Sequence, residues 1–137
     1  MKGFRVLNFS IKELCYSKIA TEEKIDNTPN IKVCDNLVNL IFYCLQPLRD
    51  KLGKPIIVTS GYRCEKLNRH PKVMGVINSQ HLYGQAVDIK VNGAKPAILI
   101  DWIDKSGIPY DQLINEKNKW VHISYVKGHN RRQKFAL

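Results

Sequence analysis

The stretches Ala86-Val-Asp88-Ile-Lys90-Val91 and Trp120-Val-His122-Ile-Ser124-Tyr125 decide how this chain is read. Both alternate. Val87, Ile89 and Val91 fall on one side of an extended strand and Asp88 on the other. Val121, Ile123 and Tyr125 share one side, with Trp120, His122 and Ser124 opposite. Period-two alternation of this kind marks a strand with one face on a core. Asp88 and His122 are therefore expected on the wet face, pointing at whatever cleft lies over the sheet. Just upstream, Ser79-Gln-His81-Leu-Tyr-Gly84-Gln-Ala86 supplies a second imidazole. Gly84 lets that loop turn back, so that His81 and Asp88 can reach one ion. Two imidazoles and one carboxylate are a set that zinc takes in catalytic sites, which leave the fourth position open for water. The same set suits zinc better than magnesium or calcium.

Outward from these strands, residues 112–116 and 120–126 read as a hairpin joined by Lys117-Asn-Lys119. Ala97, Ile98, Ile100, Trp102 and Ile103 suggest a helix ending at Gly107. Residues 70–83 form a polar, Gly-containing loop, long for a compact domain and so a candidate functional loop. Ahead of it, residues 56–59 make a short apolar strand, Ser60-Gly61 a turn, and residues 63–69 a brief helix. Nearer the start, Ser10-Ile-Lys-Glu13 has the form of a capping box. Asn27-Thr28-Pro29 predicts a second helix start, with Thr28 as N-cap and Pro29 in the first turn. Val33, Leu37, Leu40, Ile41, Cys44, Leu45, Leu48 and Leu52 then recur at three- and four-residue spacing, one amphipathic helix ending at Gly53 and bent at Pro47. Helices first, then a small, largely antiparallel sheet packed against them, is the α+β class. No repeat or linker interrupts residues 1–137, so one domain is expected, its motif core at about 55–126 and a basic tail at 127–137.

The formal net charge of +10 asks for an acidic partner. The positive residues are spread along the chain, with a mild cluster at 127–134, and no zinc-finger spacing or RNP-like aromatic run accompanies them. Nucleic acid is therefore not expected as a partner. No apolar run approaches the ~18 residues of a membrane span. Met1-Lys-Gly-Phe-Arg-Val-Leu-Asn8 has no apolar leader core, so synthesis and release in the cytoplasm are expected. Cys15, Cys34, Cys44 and Cys64 lack paired spacing and are read as free thiols, Cys34 and Cys44 as small buried hydrophobes.

Ser79-x-His81-x-x-Gly84-x-Ala86-x-Asp88, followed by Trp120-Val-His122, resembles the signature of the M15 peptidases, zinc D-Ala-D-Ala carboxypeptidases and murein endopeptidases. Pro55-Ile-Ile-Val-Thr-Ser-Gly-Tyr-Arg63, with Asn68 beyond it, is similar to the strand-and-arginine element of that family. The likeness runs from about Phe9 to Tyr125 and is strongest to small single-domain phage and prophage members. It implies the fold shared with hedgehog signalling domains, and one zinc per chain held by His81, Asp88 and His122.

A metallopeptidase also needs a base. With the hairpin as read, Glu116 lies opposite Trp120 and diagonal to His122, at ~7–8 Å between backbone positions, which a glutamate can span. Its spacing to His122 is similar to that in hedgehog domains. Other branches of the family carry their acid where this chain has Lys119, and a second histidine in some relatives stands where this chain has Trp120. Arg63 is the candidate clamp for a carboxylate or developing oxyanion. Ser79 is a candidate to orient its loop or to hydrogen-bond the substrate, Tyr83 and Trp120 are candidates to contact substrate as walls of the cleft, and Asp111 is the reserve base. The resemblance implies peptidoglycan peptides as substrate and an anionic cell wall as partner, for a monomer acting in the periplasm after release, as in phage lysis. The competing reading is a catalytically silent module that keeps zinc for stability. Glu116 discriminates, since a silent module has no use for a carboxylate beside an open zinc position. His70 and His129 read as surface residues.

Overall fold

A computed structural model describes residues 7–137; most of the N-terminal stretch read for a leader lies outside them. Ser10 caps α1 (Ile11–Cys15), its hydroxyl accepting from the Glu13 N–H as the capping box predicts. After α2 (Lys18–Glu22), the second start falls two residues later than expected. Asn30 is the N-cap of α3 (Ile31–Leu40), accepting from the Val33 N–H. Thr28 is instead folded onto Asp26, which accepts from both its N–H and its hydroxyl.

The long apolar periodicity is not one α-helix. A π-helical turn, Ile41–Leu45, separates α3 from α4 (Gln46–Leu52). Its position explains it: Pro47 has no N–H to continue the ladder, and the Gln46 N–H reaches back to Ile41 across the wider turn. The buried stripe survives the change of pitch. Val33, Leu37, Leu40, Ile41, Cys44, Leu45 and Leu48 are all buried, each side chain stabilising by roughly 1.5–3 kcal/mol when fully withdrawn from water. Gly53 ends the run in the left-handed region at φ 63°.

Among the described residues, five strands form one sheet in the order β1-β2-β4-β3-β5: β1 Ile57–Ser60, β2 Ala86–Lys90, β3 Gln112–Glu116, β4 Trp120–Ser124 and β5 Gln133–Ala136. All pairings are antiparallel except β3 with β5. The architecture is α+β, as expected. Val87, Ile89, Leu113, Val121 and Ile123 meet the α3–α4 stripe in the main core. α5 (Pro96–Lys105) packs there through Leu99, Ile100 and Ile103, whereas Ile98 and Trp102 of the expected set are partly exposed.

Three further expectations are corrected. Ser60-Gly61 is no turn; Ser60 closes β1, and the chain continues past α1 so closely that a Cβ on Gly61 would lie 2.0 Å from the Leu14 carbonyl oxygen. The loop at 70–83 is not irregular throughout, since Gln80–Tyr83 forms a 3₁₀ turn. The basic segment is exposed, yet it is no loose tail. β5 lies within it, and Arg131 pairs with Asp111 while Arg132 and Lys134 pair with Asp104.

Candidate metal centre and cleft

Register brings the site together. Asp88 on β2 is the direct cross-strand partner of His122 on β4, and Ser60 of β1 flanks Asp88 on the other side. His81 arrives from the 3₁₀ turn, whose start is fixed by Ser79: its hydroxyl accepts from the His81 N–H at 3.2 Å. Gly84 closes that turn at φ 70°, against the backbone of α3, where a Cβ would meet the Val33 oxygen at 2.8 Å. Only glycine fits both demands.

One Asp88 oxygen, Oδ1, lies 3.3 Å from His81 Nε2 and 3.4 Å from His122 Nδ1. One ligand atom from each of the three residues lies within 4.8 Å of the other two. The far nitrogen of His81, Nδ1, donates to the Gly61 carbonyl at 2.7 Å. That bond places the ring proton on Nδ1 and leaves the Nε2 lone pair facing Asp88. Burial lowers the His81 pKa, which keeps the ring neutral despite the nearby carboxylate. Burial opposes ionisation of Asp88, but the imidazoles of His122 and His81 beside it outweigh burial and hold the carboxyl well below its ordinary range. A neutral imidazole and an ionised carboxylate are the protonation states a metal ligand needs.

The wet-face expectation is half right. Asp88 and His122 do turn from the apolar layer, yet His81, Asp88 and His122 are 2%, 8% and 8% exposed. A cleft of about 1260 Å³ is lined by Asp88, Arg63 and Trp120 together with Val58 of β1 and with Ser17 and Ile19 of the α1–α2 segment.

Glu116 stands opposite Trp120 across the hairpin turn, as expected. Partial burial and the charge of Asp88 raise its pKa, while His122, Lys117 and Arg63 pull the other way. Burial lowers the Arg63 pKa, and the charges of Asp88 and Glu116 restore part of the loss. Arg63 Nε and Trp120 Nε1 are buried donors without a hydrogen-bond partner among the described residues. An unsatisfied buried donor costs about 1–3 kcal/mol, so two in one cleft mark a place for acceptors from elsewhere.

The other candidates are less central. Tyr83 ends the 3₁₀ turn with an exposed side chain, its carbonyl accepting from Asn36. Asp111 is 1% exposed, and its carboxylate is taken by Arg131 and Gln80, which removes it as a reserve base. His129 is exposed and His70 lies against Glu23, both apart from the cluster. Sequence reasoning missed the supports: Gly61, whose carbonyl orients His81, and Gln80, whose amide binds Asp111. Each serves through a contact far away in sequence, which no local pattern announces.

No curated protein matches the chain significantly. The profile of the family described as Peptidase M15 matches residues 7–124, which span everything from the segment before α1 to the last residue of β4. On that match the chain belongs to the peptidase M15 family.

Proposed function

We propose that this chain is a zinc-dependent peptidase, one domain acting as a carboxypeptidase or endopeptidase on the stem peptides of peptidoglycan. Membership of a peptidase family makes peptide the substrate class. The observation that carries the reading further is the convergence of His81 Nε2, His122 Nδ1 and Asp88 Oδ1 beside two orphaned donors. This donor set fits zinc, with His81 already oriented by Gly61. Zinc held there supplies a Lewis acid that makes water a competent nucleophile near neutral pH.

The remaining chemistry belongs to the chain. Glu116 takes the proton of the attacking water and returns it to the leaving amine. Arg63 Nε and Trp120 Nε1 donate to the carbonyl oxygen or to a terminal carboxylate of the peptide. Ser79 holds the His81 turn rather than the peptide. The cleft accommodates several residues of extended chain along β1. A net charge of +10 suits approach to an anionic wall, and we place the enzyme there after release from the cell, as a monomer in phage or prophage lysis. Mass spectrometry of purified peptidoglycan incubated with zinc-loaded protein tests the reading. Newly freed amino and carboxyl termini within the stem peptides are the expected result. Intact stem peptides after digestion with protein that holds its metal would refute it.

A further inference from the structure

Asp111, immediately before β3, has both carboxylate oxygens fully engaged, and the proposed mechanism does not use it. Its Oδ1 accepts from the Arg131 backbone N–H at 2.8 Å and from Arg131 Nε at 3.0 Å. Its Oδ2 accepts from Arg131 Nη2 and from Gln80 Nε2, both at 2.7 Å. Its backbone joins two further segments, the N–H donating to Ser124 of β4 and the carbonyl accepting from Gln133 of β5. Gln80 precedes His81 in the 3₁₀ turn, and its own carbonyl accepts from the Gln85 N–H on the way into β2. Arg131 lies beyond residue 124, where the family match ends.

We propose that Arg131 is a positioning residue for the metal centre, acting through Asp111 and the Gln80 amide on the turn that carries His81. The physical case is one of rigidity. The His81 ring is fixed at Nδ1 by Gly61 and its backbone N–H by Ser79, but both contacts come from residues that precede it, not from the strands that carry Asp88 and His122. Asp88 and His122 sit on β2 and β4. The Gln80–Asp111 bond ties the His81 turn to the hairpin that carries His122, and Arg131 fixes the carboxylate with a two-pronged contact that one rotamer satisfies. Supporting contacts of this kind typically alter metal affinity by about 10–100-fold.

The inference rests on the metal reading above, and zinc affinity, measured by competition with a chromophoric chelator, tests both. Gln80→Ala leaves the Arg131–Asp111 pair intact, so it is expected to fold. It should bind zinc about 10-fold more weakly. Arg131→Ala should weaken binding at least as much. The double variant should be no worse than the weaker single variant, because both remove one connection. Arg132→Ala is the control: it breaks the Asp104 pair of the same segment without touching Asp111, and should leave zinc affinity within about two-fold, since sites without shared partners act independently. Wild-type affinity in Gln80→Ala, or equal weakening by Arg132→Ala, overturns the relay alone. Wild-type protein that takes up no zinc overturns the metal centre and the relay with it.

Discussion

At the scale of single residues, the account turns on Glu116. Partial burial and the Asp88 charge raise its pKa, so the protonated form is favoured relative to a free carboxyl. A base must be ionised, and activity of the zinc-loaded protein should therefore climb with pH as Glu116 ionises. Glu116→Gln should remove that rise and reduce turnover by about 10²–10⁴-fold while retaining the metal. The same shift has a stability consequence of opposite sign. Holding Glu116 ionised at neutral pH costs folding free energy, so the amide variant should melt no lower than the wild type. A zinc-loaded Glu116→Gln protein with normal turnover would place the base elsewhere. The placement of Glu116 was legible because hairpin geometry is local, three loop residues fixing which residue faces Trp120.

Among the elements, the ones that were legible are those whose pattern is written in neighbouring residues. The β2 and β4 alternation and the buried stripe of α3 to α4 follow directly from spacing. The π turn was not readable, since Pro47 announces a disturbance without saying how the backbone absorbs it. Nor was β5, whose Gln133-Lys-Phe-Ala136 is exposed throughout and pairs through backbone and through Arg131 rather than through an apolar face. Gly61 shows the same limit. A glycine between a strand and Tyr62 reads as a turn, yet it is required because the Leu14 backbone passes against it. Gly61→Ala should destabilise the fold by about 1–3 kcal/mol through this overlap. It should also weaken zinc binding, because the displaced carbonyl is the one that orients His81. Calorimetry together with metal titration checks both; an alanine variant with unchanged melting and affinity would contradict the close approach.

For the whole molecule, charge is the property most easily misread. The net +10 is a sum, and the basic C-terminal segment is partly consumed internally by Asp111 and Asp104. Burial works against the ionised Asp111 carboxylate, but Arg131 and Gln80 hold its pKa at about 2. An unfolded aspartate titrates near 3.9. The pair's contribution is thus complete above about pH 4 and lost as pH falls through about 2. With Arg131 half exposed, it amounts to about 1–2 kcal/mol. Arg131→Ala should flatten the acid limb of stability between those limits, which denaturant melts at pH 2 and pH 5 would reveal. The unpaired remainder of the charge should act at longer range. Screening over about 8 Å at physiological ionic strength predicts that salt slows digestion of intact walls far more than hydrolysis of a small soluble muropeptide; equal sensitivity would argue against electrostatic approach.

The central claim is that His81, Asp88 and His122 hold the metal on which peptide hydrolysis depends. The most direct measurement follows muropeptide hydrolysis by one preparation before chelation, after chelation, and after zinc is returned at one ion per chain, with His122→Ala alongside. The account predicts activity that is lost on chelation, restored by zinc, and absent in His122→Ala under every condition. Hydrolysis that persists in the chelated, metal-free protein, or that zinc restores equally to His122→Ala, would contradict it.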